Sequence, residues 1–424
     1  MTRKKEIFIL ISWTIIFLSV IFWIEYMYGN SWKNQYMPAR VRLMQGYLDD
    51  VQQGNFPQIE KSGNIDHALG FYILGAYVGN ALNCNAEQTF RCFTLFFSIS
   101  ILLLLMFFVY FYYKKLLVSL ITPVLGYICF EDFVFRVKYD VYVAIGIWMI
   151  VVATILFILL FSMEGYKQHV IIYIILAVVI SFSNFAREHT SLGILVCFLI
   201  SGMKDIYHYK LLKERMVLII VMIFGILGYG FLSSGLPNIL MRLDGQSYWM
   251  TVSTAWHNIY IGFGYFDNPY GIEYLDECAY EAVKRIDVNI PYYSDQYFNT
   301  CKMLVLELIK NDFAFCCISL IKKLIWIVGE IGIVTLRRAG RILMVLMEVI
   351  YLLKEKGTIN SFLKKNIYIA LYALIVGVIG LVPSVLTAPY MIYSITSYAM
   401  VQMVILLMFV KILNEIYMKF RYNI

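Results

Sequence analysis

Apolar runs of membrane-spanning length recur along this chain and constrain its fold more than any motif does. About 20 apolar residues are needed to cross a hydrocarbon core as a helix, and backbone polar groups inside a bilayer must be satisfied within the segment itself. Runs of that order occur at 7–28, 93–113, 141–162, 170–185, 216–232, 366–386 and 390–410, with shorter ones at 116–130 and 192–203. Composition agrees: 61% of the 424 residues are hydrophobic and 15% charged, against about 45–50% and 25% in soluble domains. Mean hydropathy is +0.72. The expected fold class is all-α, a polytopic membrane protein with about ten spans at that length per crossing.

Charge sets the expected orientation. Arg3, Lys4 and Lys5 precede the first run, and basic residues recur at Lys114, Lys115, Lys167, Lys204, Lys210, Lys213, Arg215, 354–365, Lys419 and Arg421. Cytoplasmic loops carry an excess of Lys and Arg, so these positions are expected inside, with both termini cytoplasmic. The first run is too long and too aromatic for a cleaved leader. The net charge of +7 is accounted for by such loops, which argues against a nucleic-acid-binding role. The crossing within 313–353 is the hardest to place, because Lys322, Lys323, Glu330, Arg337, Arg338 and Arg341 interrupt it. Residues 313–323 read as an amphipathic helix on the outer surface, with the crossing after it.

This topology sends several polar stretches to the outer side. Three units are expected: a transmembrane module at 1–234 with a first outer loop at 30–92, a large outer region at 235–312, and C-terminal helices at 313–424. The loop 30–92 carries Asp49, Asp50, Glu60, Asp66 and His67. Its apolar piece 68–78 is too short to span. A turn at 131–140 holds Glu131, Asp132, Arg136, Lys138 and Asp140, and Arg187, Glu188 and His189 end another run. Ionisable groups near membrane depth are expensive and invite a functional reading; the plain alternative is wetted helix ends with local pairing. In the outer region, 256–280 alternates rings with Gly, Asn and Pro, which suits a folded loop better than a helix.

Several chemistries are set aside. The eight cysteines form no C-x-x-C pair, so a structural metal site is not expected; no cofactor is expected either, a divalent cation being compatible with the sequence but not indicated by it. Cys278 and Cys301 share the outer region and are compatible with a disulfide or with two free thiols. The Gly262–Gly264 pair lacks the third glycine of a nucleotide-binding turn. No internal repeat is evident, which leaves an inverted-repeat transporter without support.

One span, an outer loop with acids and a histidine, a short apolar helix, then an Arg-x-Phe before a long span: this order resembles the C-type (GT-C) membrane glycosyltransferases, among them the protein O-mannosyltransferases and the lipid A aminoarabinose transferases. The residues carrying the likeness are Asp66-His67-Ala-Leu-Gly-Phe-Tyr, Arg91-Cys-Phe, Phe135-Arg136-Val-Lys-Tyr-Asp140 and Asn184-Phe-Ala-Arg187. They cover about residues 1–235 of the chain. The resemblance implies transfer of a sugar from a polyprenyl-phosphate carrier to an acceptor outside the cytoplasm, at the cell membrane. Two departures matter. Ser31-Trp32-Lys33-Asn34 stands where members carry an acid after the first span, and no double proline follows His67.

Moving a sugar off a phosphate requires a carboxylate to take the acceptor's proton and cations to neutralise the leaving phosphate. Asp49, Asp50 and Asp66, with His67, are the expected catalytic group; a solvated surface pair and a helix-start histidine are the plainer readings. Arg136, Arg187 and His189 are the expected lipid-phosphate ligands, or else helix-end braces. Trp256, His257, Tyr260 and Tyr265 are the expected sugar or acceptor contacts, or else interfacial anchors. The expected partners are the bilayer, the lipid-linked sugar and an acceptor of unspecified class. Two rivals stand beside the transferase: a transport or assembly component of surface-polysaccharide export, which calls for charged or broken helices in the membrane, and a polysaccharide polymerase.

Overall fold

The computed structural model describes residues 3–28, 38–57, 69–132, 142–186, 190–232, 255–292, 294–354 and 358–422. Among them there is no strand. The helices are α1 (Arg3–Tyr28), α2 (Pro38–Gln52), α3 (Leu69–Ala81), α4 (Ala86–Tyr113), α5 (Leu116–Phe130), α6 (Tyr142–Ser162), α7 (Tyr166–Ala186), α8 (Leu192–His208), α9 (Leu212–Gly230), α10 (Ala255–Gly262), α11 (Asp276–Ile286), α12 (Asp295–Asn311), α13 (Phe313–Leu336), α14 (Ala339–Lys354), α15 (Thr358–Leu386) and α16 (Ile395–Tyr422).

Among the described residues, five helices are long and apolar enough to cross a membrane: Ala86–Tyr113, Val143–Ser162, Tyr166–Ser183, Ile367–Leu386 and Met391–Phe420. Leu116–Phe130 is apolar but shorter. Their burial differs in a way that sorts the bundle. The apolar window of α6 is 78% buried and that of α16 is 72%, whereas α15 reaches 22%. So α6 and α16 form the centre, and α15 leaves one face to lipid. The core runs continuously from Tyr47, Phe71 and Phe90 through Phe157 and Phe198 to Tyr398 and Phe409. On α9, Ile219, Ile220, Ile223, Phe224 and Leu227 are exposed, as a lipid-facing stripe is.

Side-chain contacts define two ends. At the basic end, Tyr112 Oη lies 3.4 Å from Ser162 Oγ, Tyr110 donates to Glu6 Oε2 at 3.1 Å, and Tyr166 donates to the Glu214 carbonyl at 3.3 Å. Lys115 Nζ sits 5.7 Å above the Tyr417 ring. The α4–α5 turn closes there on Lys114, whose φ of 54° is left-handed and lets its N–H reach the Tyr110 carbonyl at 2.8 Å. At the opposite end, α2 and α3 pack on the start of α4, where Gln45 accepts from the Ala86 N–H at 3.0 Å. Asn85 caps α4 with a reciprocal bond to Gln88, which satisfies two orphan donors of the first turn.

The region 255–312 is more helical than its composition implies. α10 covers Trp256 to Gly262, and α11 and α12 follow, so the expected loop begins as a helix. Aromatic packing compensates for poor local propensity: Ile261, Ala279, Val283, Tyr297 and Phe298 close one small core, and Phe263, Ile272, Val305 and Leu308 a second. Cys278 and Cys301 are both free thiols, and burial pushes the Cys301 thiol up to about 11.

The second departure lies at 313–353. Instead of a surface helix ending near 323, α13 continues unbroken for 24 residues to Leu336. The buried Lys323 makes this workable. It is 0% exposed and donates to the Thr387 carbonyl at 3.0 Å and the Leu386 carbonyl at 3.5 Å. These are orphan acceptors at the end of α15, where a cation is favoured. The chain then breaks at Arg337–Arg338 and resumes as α14.

Candidate anion site at the α13–α14 break

The break brings three arginines to the C-terminal end of α5. Arg338 Nη2 donates to Asp132 Oδ1 at 2.9 Å, and Arg341 Nη2 donates to Asp132 Oδ2. Arg341 Nη1 reaches the Tyr398 hydroxyl at 3.0 Å, which in turn donates to the Cys129 carbonyl at 3.1 Å. Arg338 Nη2 is also 3.6 Å from Glu131 Oε1, and Arg337 Nη2 is 3.9 Å from Asp132 Oδ1. Local backbone choices make room for this. The last turn of α5 widens over Glu131–Asp132, a distortion often found at functional positions. Gly340 lets α14 approach α5: a Cβ there would meet Ile128 Cγ2 at 2.9 Å.

The electrostatics are unbalanced. Among the described residues three guanidiniums face two carboxylates within ion-pair distance, an excess of one positive charge. Exposure grades outward: the side chains of Arg341, Arg338 and Arg337 are 0%, 28% and 58% exposed. Burial raises the Asp132 carboxyl, but hydrogen bonds from Arg341 and Arg338 outweigh it and hold it below the ordinary carboxylate range. Asp132 is therefore an ionised brace and a poor proton acceptor at neutral pH. The Nε atoms of Arg338 and Arg341 are buried with no partner among the described residues. Buried donors normally find one, so among the described residues the site has donor capacity suited to an anion. A guanidinium fork suits a phosphate in particular.

The residues anticipated from sequence fall in three groups. Asp66, His67, Arg136, Arg187 and His189 lie outside the described residues. Asp49 and Asp50 both lie at the end of α2. Asp49 is exposed and accepts from Gln45 Nε2 at 2.7 Å, whereas Asp50 is 1% exposed. α2 packs against α3 and α4, and the arginines against α5 and α16.

The aromatic group is dispersed. Trp256 and Tyr260 are partly buried wedges between the two small cores of the outer region. His257 is 1% exposed, with Nδ1 2.7 Å from the Tyr297 hydroxyl and Nε2 3.0 Å from Asp276 Oδ1. Both ring nitrogens are thus engaged in holding α10 to α11 and α12. Tyr265 stands apart, at the junction with the bundle: its ring centroid is 5.6 Å from Tyr390 and 5.9 Å from Tyr274.

The arginine cluster was visible in the sequence as Arg337-Arg338-x-x-Arg341, but its partner Asp132 lies 209 residues from Arg341. Among the described residues no group of His, Cys, Asp and Glu is arranged to hold a metal ion. No family model matches the chain, and no curated protein or solved structure is significantly similar to it.

Proposed function

We propose that the protein is a membrane glycosyltransferase that binds a polyprenyl-phosphate-linked sugar at the Arg337–Arg338–Arg341 cluster and transfers the sugar to an acceptor on the outer side of the cell membrane. The observation that carries this reading is a cationic site whose Arg338 and Arg341 Nε atoms are buried with no partner among the described residues. It lies at the end of the apolar bundle that also meets the aromatic outer region. In the reaction the bond from the anomeric carbon to the phosphate oxygen breaks, and the phosphate leaves with the electron pair. The acceptor oxygen bonds to that carbon, and its proton passes to a carboxylate. Arg337 and Arg338 offset the charge that grows on the phosphate, while Arg341 and Asp132 position them. Asp49, which solvent reaches, is the described acid of the first outer segment suited to take the proton; Asp50 is enclosed.

The test is reconstitution into liposomes with a polyprenyl-phosphate-linked hexose and a cell-envelope acceptor fraction, following free polyprenyl phosphate. The reading expects release above the protein-free rate. The expected loss is about a hundredfold or more in an Arg337→Gln/Arg338→Gln variant, the scale of losing one stabilising group. Binding without release contradicts the transferase. It turns the assignment to an export or polymerase component, a second reading favoured by the broken, arginine-bearing α13–α14 pair, which such a protein calls for.

A further inference from the structure

A second polar site lies at the other end of the bundle and owes nothing to the arginine cluster. A cavity of about 120 Å³ opens between the basic-end turns of α6, α7, α8 and α15, lined by His169, Tyr173, Ser201, Lys204, Asp205 and Tyr368 among others. That exceeds the roughly 10–15 Å³ needed for one water and admits a tetrahedral oxyanion.

The charges around it can be assigned from hydrogen bonds. His169 Nε2 lies 2.9 Å from the Met163 carbonyl oxygen. That oxygen only accepts, so Nε2 carries a hydrogen. His169 Nδ1 is 2.6 Å from Asp205 Oδ2, and Tyr173 donates to the same oxygen at 3.0 Å. Histidine and aspartate therefore share a proton across a short contact, and the pair is neutral overall. Lys204 remains. Its ammonium sits 3.6 Å from the centroid of the Tyr368 ring and 6.0 Å from that of Phe161. No carboxylate lies within ion-pair distance of it among the described residues. One uncompensated cation thus stands at the mouth of a polar cavity, near the ends of three apolar helices, where phospholipid headgroups lie. The neighbouring turns carry Lys167, Lys210, Lys213 and Arg215 against Glu164 and Glu214, a positive excess that enriches anions at that surface.

We propose that this cavity binds the phosphate of an anionic phospholipid headgroup, with Lys204 as its ion-pair partner and the His169–Asp205–Tyr173 group as the fixed polar wall. The wall also ties α7 to α8, so an occupied cavity stiffens that end of the bundle.

The experiment is thermal unfolding and native mass spectrometry of the full chain in detergent, with phosphatidylglycerol, phosphatidylcholine or inorganic phosphate added. Phosphatidylglycerol is expected to raise Tm and to stay bound, and phosphatidylcholine to do neither. Lys204→Met, which keeps the side-chain stem over Tyr368, is expected to weaken phosphatidylglycerol retention about tenfold, a shift of about 1.4 kcal/mol. Lys213→Met, an equal loss of charge on the adjacent turn, is expected to leave most of it. Equal effects of the two substitutions reduce the result to surface charge and overturn the site. Inorganic phosphate giving the same Lys204-dependent shift keeps the phosphate chemistry and overturns the lipid. No preference for phosphatidylglycerol over phosphatidylcholine in the unaltered protein overturns the proposal outright.

Discussion

The apolar bundle and the region 255–312 face the same problem, polar groups inside a packed interior, and meet it with different mixtures of contacts. In the bundle, hydroxyls fold back on their own helices. Thr94 and Thr122 donate to carbonyls four residues earlier at 2.9 and 2.8 Å and ask nothing of their neighbours, whereas Thr154 does the same at 2.7 Å and also lies 3.2 Å from the Tyr372 hydroxyl of α15. Long-range polar contact in the bundle includes neutral bonds, such as Ser397 with the Gly377 carbonyl and Gln402 with Thr335, and a few enclosed charged links, above all Arg341 with Asp132 and Lys323 with the end of α15. In the outer region, links between elements come from many neutral or half-exposed contacts: His257 with Tyr297 and Asp276, Tyr270 with Asp312, and the Asn268 side chain with the Ile272 carbonyl. The bundle adds a few enclosed charged links to its neutral ones, whereas the region 255–312 holds its elements with neutral or half-exposed contacts. Substitutions should therefore be costly and sparse in the bundle, mild and distributed in the outer region.

The largest expected effect is at Arg341. Arg341→Ala takes one guanidinium from the nearly enclosed Asp132 and one donor from the Tyr398 hydroxyl, and about 3–5 kcal/mol is expected for breaking such a pair. Thermal unfolding in detergent checks it. A change near zero would remove the contrast with the outer region.

Gly262→Ala tests the joint between the two units. A Cβ at this position would meet the Thr387 carbonyl oxygen at 2.4 Å and that of Leu386 at 2.9 Å, backbone that cannot step aside. Overpacking of this kind costs about 1–3 kcal/mol. Hydrogen exchange should quicken at 255–262 and 386–394 while α6 stays protected. Quickening throughout α6 would show that the two units are one cooperative body.

A smaller loss is expected inside the outer region. Tyr297→Phe removes the hydroxyl bonded to His257 and keeps the ring in its core, so a loss of about 0.5–1.5 kcal/mol is expected. A loss as large as that of Arg341→Ala would break the comparison.

The least effect comes from acid. Asp312 caps α13, and its carboxyl is held below the ordinary range, first by the Phe315 N–H and then by the Tyr270 hydroxyl. A depressed carboxylate contributes stability above its unfolded value, about 3.9, and loses it as pH falls through the lower folded value. Asp132 is depressed too, so the same sign holds there. Neither group should make stability depend on pH between about 5 and 8. Protection of the α13 N-terminus should fall only in stronger acid, and a loss near neutrality would contradict both assignments.

What could be read from sequence follows the range of the forces involved. Hydropathy is local, so the run at 116–130 coincides with α5, and 141–162 differs from α6 by one residue at its start. The runs at 93–113 and 192–203 came out short, because the capped polar first turn of α4 and the Lys204–His208 end of α8 are helical without being apolar. At 255–262 the glycine, asparagine and ring pattern pointed to a loop, and burial of Ile261 between α11 and α12 overrode it. The break after Leu336 was hidden for another reason. Arg337, Arg338 and Arg341 look expensive beside an apolar run, and what makes them tolerable is Asp132, about 200 residues away. Trp256 and Tyr260 showed as aromatic, but not that their sides are taken up by two small cores.

The central claim is that the arginine cluster holds a lipid phosphate. It is tested most directly by measuring binding of a polyprenyl phosphate and of the matching polyprenol to the purified protein and to Arg337→Gln/Arg338→Gln, with thermal unfolding confirming that the variant stays folded. The account predicts that the phosphate binds the unaltered protein at least about tenfold more tightly than the alcohol, and that the double substitution abolishes this preference. Equal binding of the phosphate and the alcohol, or a preference undiminished in the folded variant, would contradict it.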